Sequence, residues 1–65
     1  MIEKGSRVRM IHIDPEDEEY YNTGTEGIVD SILGGRWIRV TFDKGTYSKR
    51  VGGTWIVCRE DLEEV

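Results

Sequence analysis

The chain has one histidine and one cysteine, and imidazole and thiolate groups carry much of the nucleophilic and metal chemistry of proteins. His12 lies in the segment RVRMIHI and Cys58 in TWIVC, so the two belong to different predicted strands. Neither has a sequence context that indicates an activated Cys–His pair, and one cysteine permits neither an internal disulfide nor a zinc site of regular spacing. We therefore predict a protein that is not an enzyme, in which Cys58 fills apolar space and His12 is half-buried.

The acidic segment DPEDEEYYNTG, residues 14–24, holds five carboxylates before its two tyrosines. Carboxylates bind Ca²⁺ or Mg²⁺ when they recur as Asp-x-Asp-x-Asp-Gly with a distant Glu, a spacing that this segment lacks. We therefore predict a solvated loop that binds no metal and no cofactor. It is the longest irregular connection in the chain, and such loops in small β-domains tend to carry binding function. Its candidate contact residues are Glu18, Glu19, Tyr20 and Tyr21.

Aromatic and arginine side chains are the residue types that dominate the energetics of protein interfaces. In WIRVTF, residues 37–42, apolar and polar residues alternate, which places Trp37 and Arg39 together on the face opposite the core. We predict a partner-binding surface that combines the acidic loop with this strand. Its secondary members are Arg7 and Arg9, from the segment SRVRM.

Short strands separated by glycines are the elements that must position these residues. The predicted strands are 6–13, 25–33, 36–42, 46–51 and 63–65. TWIVC at 54–58 is a strand or the entry to a loop, and REDL at 59–62 is about one helical turn. Five short strands, one long loop and a one-turn helix before the last strand predict an all-β fold, a small five-stranded SH3-like barrel. An OB-fold is the alternative, although it normally needs more residues and another helix.

The glycine doublet Gly34-Gly35 predicts a two-residue type I′ hairpin turn, because both central positions of that turn have positive φ. The predicted register then pairs Val29 with Val40 on the core face. It also pairs Asp30 with Arg39 on the outer face, where opposite charges stabilise the register by a few tenths of a kcal/mol, up to about 1.

The length of 65 residues predicts one domain, 1–65, with a thin core. Assembly as a homodimer or as a subunit of a larger complex would add stability to such a domain. No apolar run reaches the length of a membrane helix, so we predict no membrane insertion. A lone thiol and an amino terminus without a signal-peptide pattern predict the cytoplasm.

Four segments, KGSRVRM, EEYYNTGTEGIVDS, IRVTFDKGTY and DLEEV, resemble the photosystem I subunit PsaE family. More faintly, the same outline is similar to the ferredoxin-docking small subunit of the photosynthetic NDH complex and to small phage or bacterial SH3-like proteins. The resemblance spans most of the chain through short motifs. It implies an SH3-like barrel with a non-catalytic accessory role, as in electron-transport complexes.

The sequence thus favours an adaptor module that docks on a protein partner, and two alternatives remain. The first is a nucleic-acid-associated, KOW-like barrel, for which the segment 31–59 supplies six basic residues against one acidic residue. The net charge of −4 and the pI of about 4.8 weigh against it. The second is an acidic, phage-type inhibitor of a basic host protein. The basic candidates for nucleic acid are Arg7, Arg9, Arg36, Arg39, Lys44, Lys49 and Arg50.

Overall fold

A computed structural model describes residues 1–17, 23–43 and 53–65. Five antiparallel strands form one sheet: β1 (Arg7–Met10), β2 (Glu26–Gly34), β3 (Trp37–Phe42), β4 (Thr54–Cys58) and β5 (Leu62–Glu64). Two 3-10 turns, Pro15–Asp17 and Arg59–Asp61, complete the secondary structure of the described residues, and the second directly precedes β5. The predicted all-β fold, with five strands and one helical turn before the last, is confirmed. Neither turn has the length or apolar character to cross a membrane.

The strand order across the sheet is β4-β3-β2-β1-β5. Strand β1 pairs with β2, β2 with β3 and β3 with β4, while β5 returns to pair with β1. The strand beside β3 is Thr54–Cys58, the segment for which the sequence left strand and loop entry open. The predicted strand 46–51 lies outside the described residues.

The core lies on one face of the sheet and follows from the alternation of apolar and polar residues. Ile38, Val40 and Phe42 of β3 are buried and face Val29 of β2, as the sequence predicts. Gly27 of β2 allows this packing, because a Cβ at that position would lie 2.5 Å from the carbonyl oxygen of Thr41. The buried apolar residues are Val8, Met10, Val29, Ile38, Val40, Phe42, Val57 and Leu62.

The predicted pair of Asp30 with Arg39 is wrong, because a β-bulge interrupts β2 at Asp30. Val29 pairs with Val40 as expected, but the next pair is Ser31 with Arg39. The extra residue leaves Asp30 exposed and without a cross-strand partner, and such bulges locally increase the twist of a strand.

The hairpin turn is also displaced from its predicted position. A second irregularity in β2 makes Gly34 pair with Trp37, so the two central residues of the turn are Gly35 and Arg36. Gly35 has φ of +58°, and Arg36 is not among the residues with positive φ. This is the pattern of a type II′ turn, which requires glycine only at the first central position, and not of the predicted type I′ turn.

Candidate protein-docking surface

The outer face of the sheet is the face opposite the core, and strands β3 and β4 present an apolar patch there. Trp37 and Arg39 alternate with buried residues of β3, and Trp37 is 49% exposed. Ile56 of β4 pairs with Arg39 and is 55% exposed. We call these three residues, Trp37, Arg39 and Ile56, the Trp37 patch. Exposed apolar side chains grouped on a regular sheet are typical of interaction surfaces.

Arg39 lies at the centre of this patch without an ion-pair partner among the described residues. Its cross-strand neighbours are the hydroxyl-bearing Ser31 on one side and the apolar Ile56 on the other. The Ser31 hydroxyl is buried and has no hydrogen-bond partner in the described part of the chain.

The indole ring of Trp37 is already in contact with a cation. The guanidinium carbon of Arg36 lies 6.0 Å from the ring centroid, at the usual outer limit of a cation–π interaction. Arg36 also lies 3.9 Å from a carboxylate oxygen of Glu60, in the second 3-10 turn. A backbone hydrogen bond from Arg59 to the carbonyl of Arg36 (2.7 Å) fixes this turn against the hairpin that presents Trp37.

A pocket of about 220 Å³ opens beside the Trp37 patch and shares Trp37 and Ile56 with it. Its other wall comes from the segment after β1 and from the second 3-10 turn, which supply His12, Asp14 and Asp61. Nδ1 of His12 lies 3.2 Å from Oδ1 of Asp61, and the amide of Ile11 donates to the carbonyl of Asp61 (2.8 Å). These two contacts hold the segment and the turn together, so the pocket has a defined shape.

The position of His12 corrects the predicted half-buried strand residue. Strand β1 ends at Met10, before the predicted limit at residue 13, and the His12 side chain is 64% exposed. Cys58 lines the same pocket as His12 and is a free thiol of intermediate exposure. Within residues 1–17, 23–43 and 53–65, no three His, Cys, Asp or Glu side chains group as a metal site.

Arg7 and Arg9 lie on the same outer face but in a different part of it. Arg7 contacts Glu26 (3.2 Å) and Asp43 (2.8 Å), and Arg9 contacts Glu63 (3.3 Å) with Glu26 at 4.0 Å. The hydrogen bond to Asp43 raises the pKa of the Arg7 guanidinium above its ordinary value, so Arg7 remains charged. We call these five residues, Arg7, Arg9, Glu26, Asp43 and Glu63, the ion-paired corner.

The distance between these two regions follows from the register. Arg7 pairs with Ile28, which pairs with Thr41 of β3, and Arg9 pairs with Glu26, two residues further from the hairpin turn. Arg9 and Trp37 are therefore separated by about 20 Å along the strands, at roughly 3.4 Å per residue. The structure brings Trp37 and Arg39 together but does not place Arg7 and Arg9 beside them.

The remaining predicted contact residues, Glu18, Glu19, Tyr20 and Tyr21, lie outside the described residues, as do Lys44, Lys49 and Arg50. Sequence reasoning missed Ile56 and the contact of His12 with Asp61. The alternation in TWIVC would have placed Ile56 with Thr54 on an outer face, had that segment been taken as a strand. The His12–Asp61 contact has no local signal, because it depends on the pairing of β1 with β5.

We compared the chain with protein-family models, with curated proteins and with solved structures. No family model, curated protein or solved structure matches the chain.

Proposed function

We propose that this chain is a non-catalytic adaptor, an SH3-like barrel that docks on a protein partner through the Trp37 patch. The observation that carries the proposal is the exposure of Trp37 and Ile56 on either side of Arg39, which has no ion-pair partner among the described residues. Tryptophan and arginine in an apolar surrounding are the residue types that most often contribute large shares of binding energy.

The placement of the patch on paired strands supports this proposal. Trp37 and Arg39 lie on β3, which is hydrogen-bonded to β2 on one side and to β4 on the other. Side chains on such a central strand are pre-organised, because little backbone entropy remains to be lost on binding. Little of the favourable contact energy is therefore offset by a loss of backbone entropy when a partner binds.

Three further observations support the wider proposal. The strand order, with β5 returning to β1 after a 3-10 turn, agrees with an SH3-like barrel. The resemblance to the PsaE family supports an accessory role, as a subunit of a larger complex or as a homodimer. Cys58 is a free thiol, which suits the reducing environment of the cytoplasm.

The nucleic-acid alternative has less support from the described residues. Arg7 and Arg9, two of its candidate basic residues, are engaged by Glu26, Asp43 and Glu63. A phosphate group would have to displace these carboxylates or accept their repulsion. Fluorescence anisotropy with single- and double-stranded probes at low salt tests this alternative, since binding through phosphates weakens steeply as salt rises.

The experiment for the adaptor proposal is affinity capture from cell extract followed by reconstitution with the purified partner. Trp37→Ala and Ile56→Ser should each weaken the complex at least tenfold, because anchor residues typically contribute about 2 kcal/mol or more. Arg9→Ala is the matched control, because it removes an arginine from the same face in the ion-paired corner.

Captured proteins count only when their recovery depends on Trp37 and does not depend on Arg9. Circular dichroism and thermal unfolding of each variant exclude a general loss of structure. If Trp37→Ala and Ile56→Ser recover every partner as well as the parent chain does, the Trp37 patch is not the docking surface.

A further inference from the structure

We infer that the pocket beside the Trp37 patch receives one basic side chain, a lysine or an arginine, from the protein partner. The inference rests on the proposed function and adds the chemistry of the group that the partner inserts. It concerns the pocket between the segment after β1, the β3–β4 strand pair and the second 3-10 turn.

The charge of the pocket favours a cation. Asp14 and Asp61 both line it, and no lysine or arginine is among its lining residues. The Asp61 side chain is only 29% exposed, and Nδ1 of His12, at 3.2 Å, is its one side-chain contact among the described residues. A carboxylate accepts about four hydrogen bonds, so Asp61 retains capacity for an incoming ammonium or guanidinium group.

The remaining walls suit the rest of a basic side chain. Trp37 lines the pocket, and the face of an indole ring attracts cations through its quadrupole. Ile13 and Ile56 provide apolar surface against which the methylene stem of lysine or arginine can pack. A mainly polar lining that includes two carboxylates and some apolar surface matches a side chain that is apolar along its stem and charged at its end.

The size of the pocket limits the occupant to a single side chain. Its volume of about 220 Å³ lies below the range of roughly 300–1,000 Å³ that is usual for sites of drug-sized ligands. Because the pocket is continuous with the Trp37 patch, a chain lying across Ile56 and Trp37 is in position to insert one of its side chains there.

Nuclear magnetic resonance titration of the full ¹⁵N-labelled chain tests the inference directly. The probe is N-acetyl-arginine methylamide, and the matched neutral probe is N-acetyl-citrulline methylamide, which has nearly the same shape without the charge. The arginine probe should shift the signals of His12, Cys58 and Asp61 and the indole signal of Trp37. The citrulline probe should bind at least tenfold more weakly.

Three variants locate the binding. Asp61→Asn and Asp14→Asn should each weaken arginine-probe binding several-fold, whereas Asp30→Asn should not, because Asp30 is an exposed carboxylate in the β2 bulge outside the pocket. Well-dispersed spectra establish that each variant is folded. Equal binding of the two probes, or equal weakening by Asp30→Asn, would overturn the inference.

The inference and the proposed function fail in different ways. If the partner is lost with Trp37→Ala but retained at full affinity by the Asp14→Asn/Asp61→Asn double variant, the docking surface stands and the basic side chain does not. If no variant of the patch affects the partner, the proposed function fails, whatever the probe titration shows.

Discussion

The ion-paired corner and the Trp37 patch lie on one face of one sheet, yet their arginines are in opposite situations. Arg7 lies 2.8 Å from Asp43 and 3.2 Å from Glu26, and Arg9 is 3.3 Å from Glu63. Arg39 has no such contact with any described residue. The three side chains have the same chemistry and similar strand positions, so residue type and face alone do not distinguish a structural arginine from one that is available for binding.

The cross-strand neighbours make the difference. Strand β1 lies between β2 and β5, and Arg9 is opposite Glu26 on one side and Glu63 on the other. Arg39 is opposite Ser31 and Ile56, neither of which carries a charge. Because cross-strand pairs are the closest contacts on a sheet face, the register decides which arginines are neutralised.

Gly27→Ala should have the largest effect, because it acts on β2, which joins the two regions. The added Cβ would lie 2.5 Å from the Thr41 carbonyl oxygen and 2.9 Å from the Phe42 Cα, and backbone atoms cannot move aside cheaply. We expect a loss of about 3 kcal/mol in the free energy of unfolding. Urea denaturation measures it, with Thr41→Ala on the outer face as the control. A loss below about 1 kcal/mol would contradict the close approach of β2 and β3.

Gly35→Ala should have the second largest effect, and it acts only at the hairpin that presents Trp37. No atom obstructs a Cβ there, so the cost comes only from the positive φ of +58°. We expect about 1–2 kcal/mol. Arg36→Ala is the matched control at the second central position and should cost little. Equal losses in thermal unfolding of the two variants would contradict the assignment of Gly35 and Arg36 as the central residues.

Glu26→Gln should have a small effect that is confined to the ion-paired corner. Glu26 contacts both Arg7 and Arg9, and exposed ion pairs of this kind are worth about 0.5 kcal/mol. The loss should fade in about 1 M salt, where the Debye length falls to roughly 3 Å. Thermal unfolding at low and high salt measures it, and a loss that does not depend on salt would indicate a packing role for Glu26.

Arg39→Ala should have the smallest effect on stability, within about 0.5 kcal/mol, because no described ion pair is lost. The same variant should weaken the partner complex, which separates binding from stability at this position. A clear loss of stability would show that Arg39 is a structural residue like Arg7, and the contrast between the two regions would disappear.

The sequence alone was sufficient to assign the residues of β3 to the inner and outer faces of the sheet. The two-residue period of WIRVTF leaves one choice once Val40 and Phe42 are inside, and Trp37 and Arg39 must then be outside. The bulge at Asp30 was not predictable, because the insertion of one extra residue into a strand leaves no recognisable pattern in the sequence. Its position depends on how β2 twists between β1 and β3, which is a property of the assembled sheet.

Part of the candidate site was likewise predictable from the sequence, and part was not. Trp37 and Arg39 follow from local alternation, whereas the pocket brings residues 12–14 beside residues 56–58 and 61. That proximity depends on β5 pairing with β1, a contact between segments about 50 residues apart. No periodicity within either segment specifies it, so pattern analysis finds the patch and misses the pocket.

The contact between the segment after β1 and the second 3-10 turn has a consequence during synthesis. Asp61 leaves the ribosome after all the residues of β1 to β4, so a nascent chain can form the β2–β3 hairpin while one wall of the pocket has not yet been made. Recognition that needs both carboxylates would therefore require a chain that has been synthesised beyond Asp61 and has paired β5 with β1.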